Sequence, residues 1–117
     1  MAFINFQPKD YFNTKLYTGT GSSNDVTGVG FQPDWVWIKK RNATGQHQLF
    51  NAVRGVTKRV YSDSTDAEST SATTLTAFGT DGFTVGSNSG INGSSDTIVS
   101  WNWLANGGTA TATISES

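Results

Sequence analysis

The sequence predicts an all-β fold, an antiparallel β-sandwich, on three observations. Only 35% of its 117 residues are hydrophobic, and much of that content is in rings: seven Phe, four Trp and three Tyr. Rings and Thr suit a pleated surface, while thirteen Gly and abundant Ser, Thr and Asn supply turns. The apolar residues form short runs separated by turn signals, and no segment carries a 3.6-residue period. The length suits one domain with one core.

The first fourteen residues hold four aromatics, Phe3, Phe6, Tyr11 and Phe12, with no clean alternation. They are expected to form an N-terminal docking arm, residues 1–14, ahead of a sandwich over 15–106 and a small, polar tail over 107–117. Lys15 to Thr18 is a short candidate strand, followed by a glycine-rich loop from Gly19 to Gly30. Asp34 to Arg41 is expected to be a central strand covered on both sides. Trp35, Trp37 and Lys39 point one way, and Val36, Ile38 and Lys40 the other. Pro33 precedes it, where a missing N–H is tolerated.

His47 to Val53 and Val56 to Tyr61 follow as strands broken at Gly55, and Ser62 to Thr74 is a polar loop. Leu75–Phe78 and Phe83–Val85 flank Gly79-Thr80-Asp81-Gly82, a strong hairpin signal. After a turn-rich stretch, Thr97 to Leu104 sets Val99, Trp101 and Trp103 opposite Ile98, Ser100, Asn102 and Leu104. The echo of Phe6-Gln7-Pro8-Lys9-Asp10 in Phe31-Gln32-Pro33-Asp34 is too short to be a repeat.

The net charge of −1 makes no electrostatic claim on nucleic acid or an anionic membrane. With no cysteine, thiolate catalysis and thiolate metal sites are excluded. No apolar run approaches the roughly 20 residues of a membrane-spanning helix. The start, Met1-Ala2-Phe3-Ile4-Asn5-Phe6, lacks the features of a secretory signal, so an extracellular role implies release by lysis.

No catalytic or cofactor site is expected. His47, the only histidine, reads as an edge or surface residue rather than part of a triad. Gly86-Ser87-Asn88-Ser89-Gly90 has Asn88 where a nucleophile elbow needs serine. Gly28-Val29-Gly30 begins a dinucleotide fingerprint but runs into Pro33 and a strand. Asp63, Asp66 and Glu68 offer oxygens to calcium without a loop signature, and so read as solvated. Nothing supports paired carboxylates for glycoside hydrolysis. The basic residues Lys39, Lys40, Arg41, Arg54, Lys58 and Arg59 read as solvated or facing protein.

Trp35 and Trp37, like Trp101 and Trp103, are spaced i,i+2, so each pair shares a face. Two readings compete. In one, the rings fill the core of a small sandwich; in the other, they form a platform for a glycan. The first is the working expectation.

Four segments, Gly28 to Lys39, Leu49 to Arg59, Asp81 to Gly86 and Trp101 to Gly107, together resemble a domain of structural proteins in marine tailed phages. That domain is similar to concanavalin- or SPRY-type sandwiches of jelly-roll kind. The resemblance runs over about Lys15 to Gly108. Relatives often carry Asp in place of Asn51 and Lys in place of Leu104, so Leu104 is a candidate partner contact.

The resemblance implies a non-enzymatic virion component on the particle surface, a head-decoration protein or a fibre module. Other virion proteins are then the expected partners and a homo-oligomer the expected state, with the arm's Phe3, Phe6, Tyr11 and Phe12, and Leu104, as docking residues. The alternative is a lectin-like module binding host surface glycan through Trp35, Trp37, Trp101 and Trp103.

Overall fold

The computed structural model describes residues 8–105, and two antiparallel sheets make the fold an all-β sandwich. A 3-10 turn, Pro8–Asp10, leads into β1 (Phe12–Thr18), β2 (Asn24–Val26), β3 (Trp35–Lys40), β4 (Gln48–Asn51) and β5 (Lys58–Tyr61). Then come β6 (Ser69–Thr70), β7 (Leu75–Gly79), β8 (Gly82–Val85), a one-turn helix α1 (Ser89–Asn92) and β9 (Thr97–Trp103). The large sheet has the order β1-β9-β3-β4-β5-β6, and the small sheet β2-β8-β7.

The core lies between the sheets. Val36, Ile38, Phe50 and Ile98 on the large sheet meet Val26, Leu75, Phe83 and Val85 on the small one, with Ile91 of α1. Fully burying each such side chain contributes roughly 1.5–3 kcal/mol. The β7–β8 hairpin closes on Thr80 and Asp81, with Gly79 opposite Gly82. Gly82 has φ 156°, and a Cβ there would run into the Val26 carbonyl, so the Asp-Gly signal reflects a backbone contact as well as a turn.

Asp81 also organises the loop before β3. Its carboxylate accepts from the Gly28 N–H at 2.9 Å and the Gly30 N–H at 2.7 Å, and its carbonyl accepts from Val29 N–H at 3.0 Å. Those bonds hold the carboxyl below the ordinary carboxylate range, and the Lys15 charge assists. The broken dinucleotide motif is therefore a clamp on the hairpin tip, and it buries Val29.

Several sequence expectations need correction. Strand β1 begins at Phe12, so 12–14 belong to the sheet rather than to an arm. The candidate strand Lys15–Thr18 is its second half; the first half shows no apolar alternation because the inward residues, Asn13, Lys15 and Tyr17, are polar or amphipathic while Phe12 and Leu16 face out. Each inward group finds a role: Asn13 Nδ2 donates to the Val29 carbonyl, Tyr17 Oη to the Ile91 carbonyl, and Lys15 sets its charge beside Gly28 and Asp81. Burial pushes the Tyr17 phenol well above its usual value.

The loop Gly19–Gly30 contains β2, and the polar loop Ser62–Thr74 contains β6; both strands are too short to show alternation. A helical turn does follow Gly86-Ser87-Asn88-Ser89-Gly90, but Asn88 caps it by accepting from Gly90 N–H at 2.9 Å, with no nucleophile. Asn92 ends that turn as a buried hub, donating to the Ser22 and Gly86 carbonyls and accepting from Thr20 N–H.

The largest correction concerns β3. It is central, third of six strands, but only its Val36–Ile38 face is covered by the second sheet. Trp35 is exposed, and Trp37, Trp101 and Trp103 are half-buried on the opposite side. The four indoles are not the sandwich core.

Candidate functional site

The outer face of the large sheet is built by strand register. Phe12 lies opposite Trp103, Trp103 opposite Trp35, and Trp35 opposite Asn51. The next row runs Thr14, Trp101, Trp37, Leu49 and Val60, and a third runs Leu16, Val99 and Lys39. Antiparallel neighbours about 5 Å apart bring these rings into contact. Trp35 stacks on Trp103 with centroids 4.5 Å apart, and Phe12 tilts against Trp103 at 5.0 Å. Trp37 meets Trp101 edge to face at 5.9 Å. Leu16 is 53% exposed, Trp35 38% and Phe12 37%.

Trp37, Trp101 and Trp103 line a shallow depression of about 250 Å³. The Trp37 indole N–H donates to His47 Nδ1 at 2.9 Å, and the two rings meet edge to face. His47 is thus a side-chain acceptor that orients one wall of the depression. Sequence spacing gives it only as an edge or surface residue, because nothing in the spacing of Trp37 and His47 shows that the fold brings them together. Its own backbone N–H donates to Asp63 Oδ1 at 3.2 Å.

The docking residues read from the sequence divide in two. Phe3 and Phe6 lie outside the described residues. Tyr11, Phe12 and Leu104 meet at one corner of the sheet, where Leu104 N–H donates to the Tyr11 carbonyl at 2.8 Å. Tyr11 is half exposed, Leu104 half-buried, and Phe12 joins the tryptophan cluster. The arm's corner and the indoles are therefore one continuous surface.

The charged residues are more scattered than their sequence clusters. Glu68 pairs with Arg54 at 2.9 Å and Asp63 holds the His47 backbone, so the acidic loop is divided. Among the described residues no three His, Asp or Glu side chains converge as a metal site. Lys40 pairs with Asp96 at 3.0 Å, and that contact, with Asn42, holds the Asp96 carboxyl below its usual range. Arg59 lies over the Tyr61 ring. A second hollow, about 220 Å³, lies beside the β7–β8 turn between Asp25, Thr27, Thr80 and Asp81. Its acids are already bonded: Asp25 to the Thr84 hydroxyl, Asp81 to the glycine loop.

Among the described residues the face gathers aromatic rings with one histidine, whose Nδ1 is taken by the Trp37 indole N–H. No curated protein and no solved structure matches this chain. A family model covers residues 7–116, and the chain belongs to that family, a domain of unknown function (DUF7483).

Proposed function

We propose that this domain is a non-enzymatic attachment module on the surface of a tailed-phage particle, and that the aromatic face of its large sheet is the contact surface. One observation carries the reading: five aromatic rings, Phe12, Trp35, Trp37, Trp101 and Trp103, gather on a sheet face that no second layer covers among the described residues. Contiguous exposed apolar surface of this kind marks binding sites on soluble domains, and Trp dominates such contacts. The virion setting is supported by the sequence resemblance, which also supports assembly of several copies with other particle proteins.

A decoration or fibre role and a lectin-like role differ in what lies on the face. The lectin-like reading gains from the exposure of Trp35, since rings sealed in a core cannot meet a sugar.

The test compares wild type with Trp35→Ala/Trp103→Ala for binding to stripped phage particles and to host cells, with light scattering for oligomer size. Wild type is expected to bind one of these surfaces or to self-associate, and the folded variant to lose that contact. An unchanged variant would remove the face from the function. Mass spectrometry of purified particles then fixes copy number, which separates a head protein, present in hundreds, from a tail protein.

A further inference from the structure

The sheet face changes character along β3. Register sets Trp35, Trp37 and Lys39 on one side of the strand, and the Arg41 N–H bond to the Thr97 carbonyl carries the ladder one residue further, placing Arg41 beside Thr97. The aromatic cluster therefore runs into two cations. Lys40 and Arg54 are neutralised by Asp96 and Glu68, but Lys39 and Arg41 have no carboxylate partner among the described residues. Lys39 Nζ donates instead to the Lys40 and Ala43 carbonyls, which fixes the ammonium without cancelling its charge. At the margin near His47 the acid is Asp63, which is occupied by the His47 backbone N–H.

The hydrogen-bonding groups point to the same kind of ligand. Trp37 has its acceptor in His47, the one indole N–H hydrogen bond of the four tryptophans among the described residues. The face thus offers donors, positive charge and apolar ring surface, and asks for acceptors, negative charge and a C–H surface. The depression of about 250 Å³ is smaller than the roughly 300–1,000 Å³ of pockets that engulf a small molecule. It suits one ring of a chain lying across the sheet. From Trp37 to Arg41 is about 13 Å at strand rise, the reach of two or three such rings.

We propose that this face binds an acidic polysaccharide, pyranose rings stacked against Trp37, Trp101 and Trp103 with carboxylates directed to Lys39 and Arg41. The proposal rests on the aromatic face being the contact surface. Single-stranded nucleic acid also combines stacking with charge, but it calls for a basic groove along many phosphates, and this chain has a net charge of −1.

The test titrates the purified domain with a galacturonate hexasaccharide, a neutral glucose hexasaccharide and an oligothymidylate, followed by tryptophan fluorescence and calorimetry at low and high salt. The uronate chain is expected to bind most tightly and to weaken with salt. Lys39→Gln/Arg41→Gln is expected to lower its affinity roughly five- to tenfold, as two partly exposed ion pairs allow. Arg41 is exposed and Lys39 half-buried, so circular dichroism and the melting temperature are read alongside to show that the double variant stays folded, and Trp101→Ala is expected to abolish binding. Equal binding of the neutral chain, indifference to the charge variant, or tighter binding of the oligothymidylate would each overturn the acidic-glycan proposal. Should no sugar bind while Trp35→Ala/Trp103→Ala still loses particle or self-contact, the glycan proposal falls and the contact face stands.

Discussion

The two faces of the large sheet use hydrophobic residues in opposite ways. On β3, Val36 and Ile38 face the second sheet and are fully buried, while Trp35 and Trp37, interleaved with them, face outward. On β9 the contrast is sharper. The inward residues are Ile98, Ser100 and Asn102, all buried, and the outward ones are Val99, Trp101 and Trp103. At that end of the strand the inside is more polar than the outside. A one-residue slip would exchange the two sets, so something other than hydrophobicity must hold the register.

Polar bonds do this. Ser100 Oγ donates to the Lys15 carbonyl, and Asn102 Nδ2 donates to the Asn13 carbonyl and to Ser100 Oγ. The bonds to the Lys15 and Asn13 carbonyls, part-buried, fasten β9 to β1 at one alignment and leave the indoles outside. Asn102 Oδ1 is left as a buried acceptor without a protein partner among the described residues, a cost of the kind a sequence chosen for stability alone would avoid. The rings are thus outside by construction, and the core holds without them.

The largest effect that can break this comparison is in the core. Phe50→Ala is expected to destabilise the domain by about 3–5 kcal/mol in a denaturant titration, and Ile38→Ala by about 2–5 kcal/mol. Both side chains are fully enclosed between the sheets. A loss below about 1 kcal/mol at either position would mean that the inner face is not the core.

Trp35→Ala is expected to cost only about 1–2 kcal/mol, mainly the stacking on Trp103, because the ring is already partly in water. The measurement is the same titration, made at low protein concentration. A cost equal to that of Phe50→Ala would show that the outer face is sealed in the folded protein, and the two faces would then be equivalent. A cost that grows with protein concentration would show that another copy seals it.

How far this contrast was legible in the sequence follows from its physics. The hairpin was plain because Gly79-Thr80-Asp81-Gly82 carries its own turn geometry, and the alternation on β9 was plain because period two needs no partner. Which side faces in was not. Both sides of β3 are apolar, and the choice depends on where β2, β7 and β8 pack. Two of those strands follow the clear hairpin, but β2 is three residues long within a glycine-rich loop. Only the second half of β1, Lys15 to Thr18, is legible, since the inward residues of the strand are polar or amphipathic. The indole spacing correctly paired the rings on one face but assigned them to the interior. The acceptor role of His47 and the charge gradient toward Arg41 needed strand neighbours that sequence spacing does not supply.

A third expected effect concerns pH and the clamp that orders the loop beneath the hairpin. The Asp81 carboxyl is held below its ordinary value by the Gly28 and Gly30 N–H groups. A carboxyl depressed on folding contributes stability that is fully present above the unfolded value, near 3.9, and lost as pH falls through the depressed one. Melting temperature is therefore expected to decline on acidification below about pH 4, and Asp81→Asn to flatten that decline. Asp96, depressed by Lys40 and Asn42, adds to it in the same direction. An acid decline unchanged in Asp81→Asn would remove the clamp from the account. Asp81 is exposed and Asp96 only partly buried, so the effect is modest beside that of the core.

The smallest expected effect is at His47, and it sharpens what the outer face is for. His47 Nδ1 accepts from the Trp37 indole, so the neutral imidazole carries its proton on Nε2. The bond joins two half-buried rings on the outer face of the sheet, both partly open to water. His47→Ala is accordingly expected to change stability by less than about 1 kcal/mol. The readout is the indole N–H region of a nitrogen-correlated NMR spectrum, where the Trp37 resonance is expected to move while those of the other three tryptophans stay. His47→Asn, whose side-chain oxygen lies where Nδ1 does, is expected to restore the resonance. If neither variant moves it, the bond does not orient the ring. If His47→Ala instead costs as much as a core truncation, the β3–β4 rim belongs to the framework. The outer face would then be a structural surface with a small open patch, rather than a platform that the fold holds out to a partner.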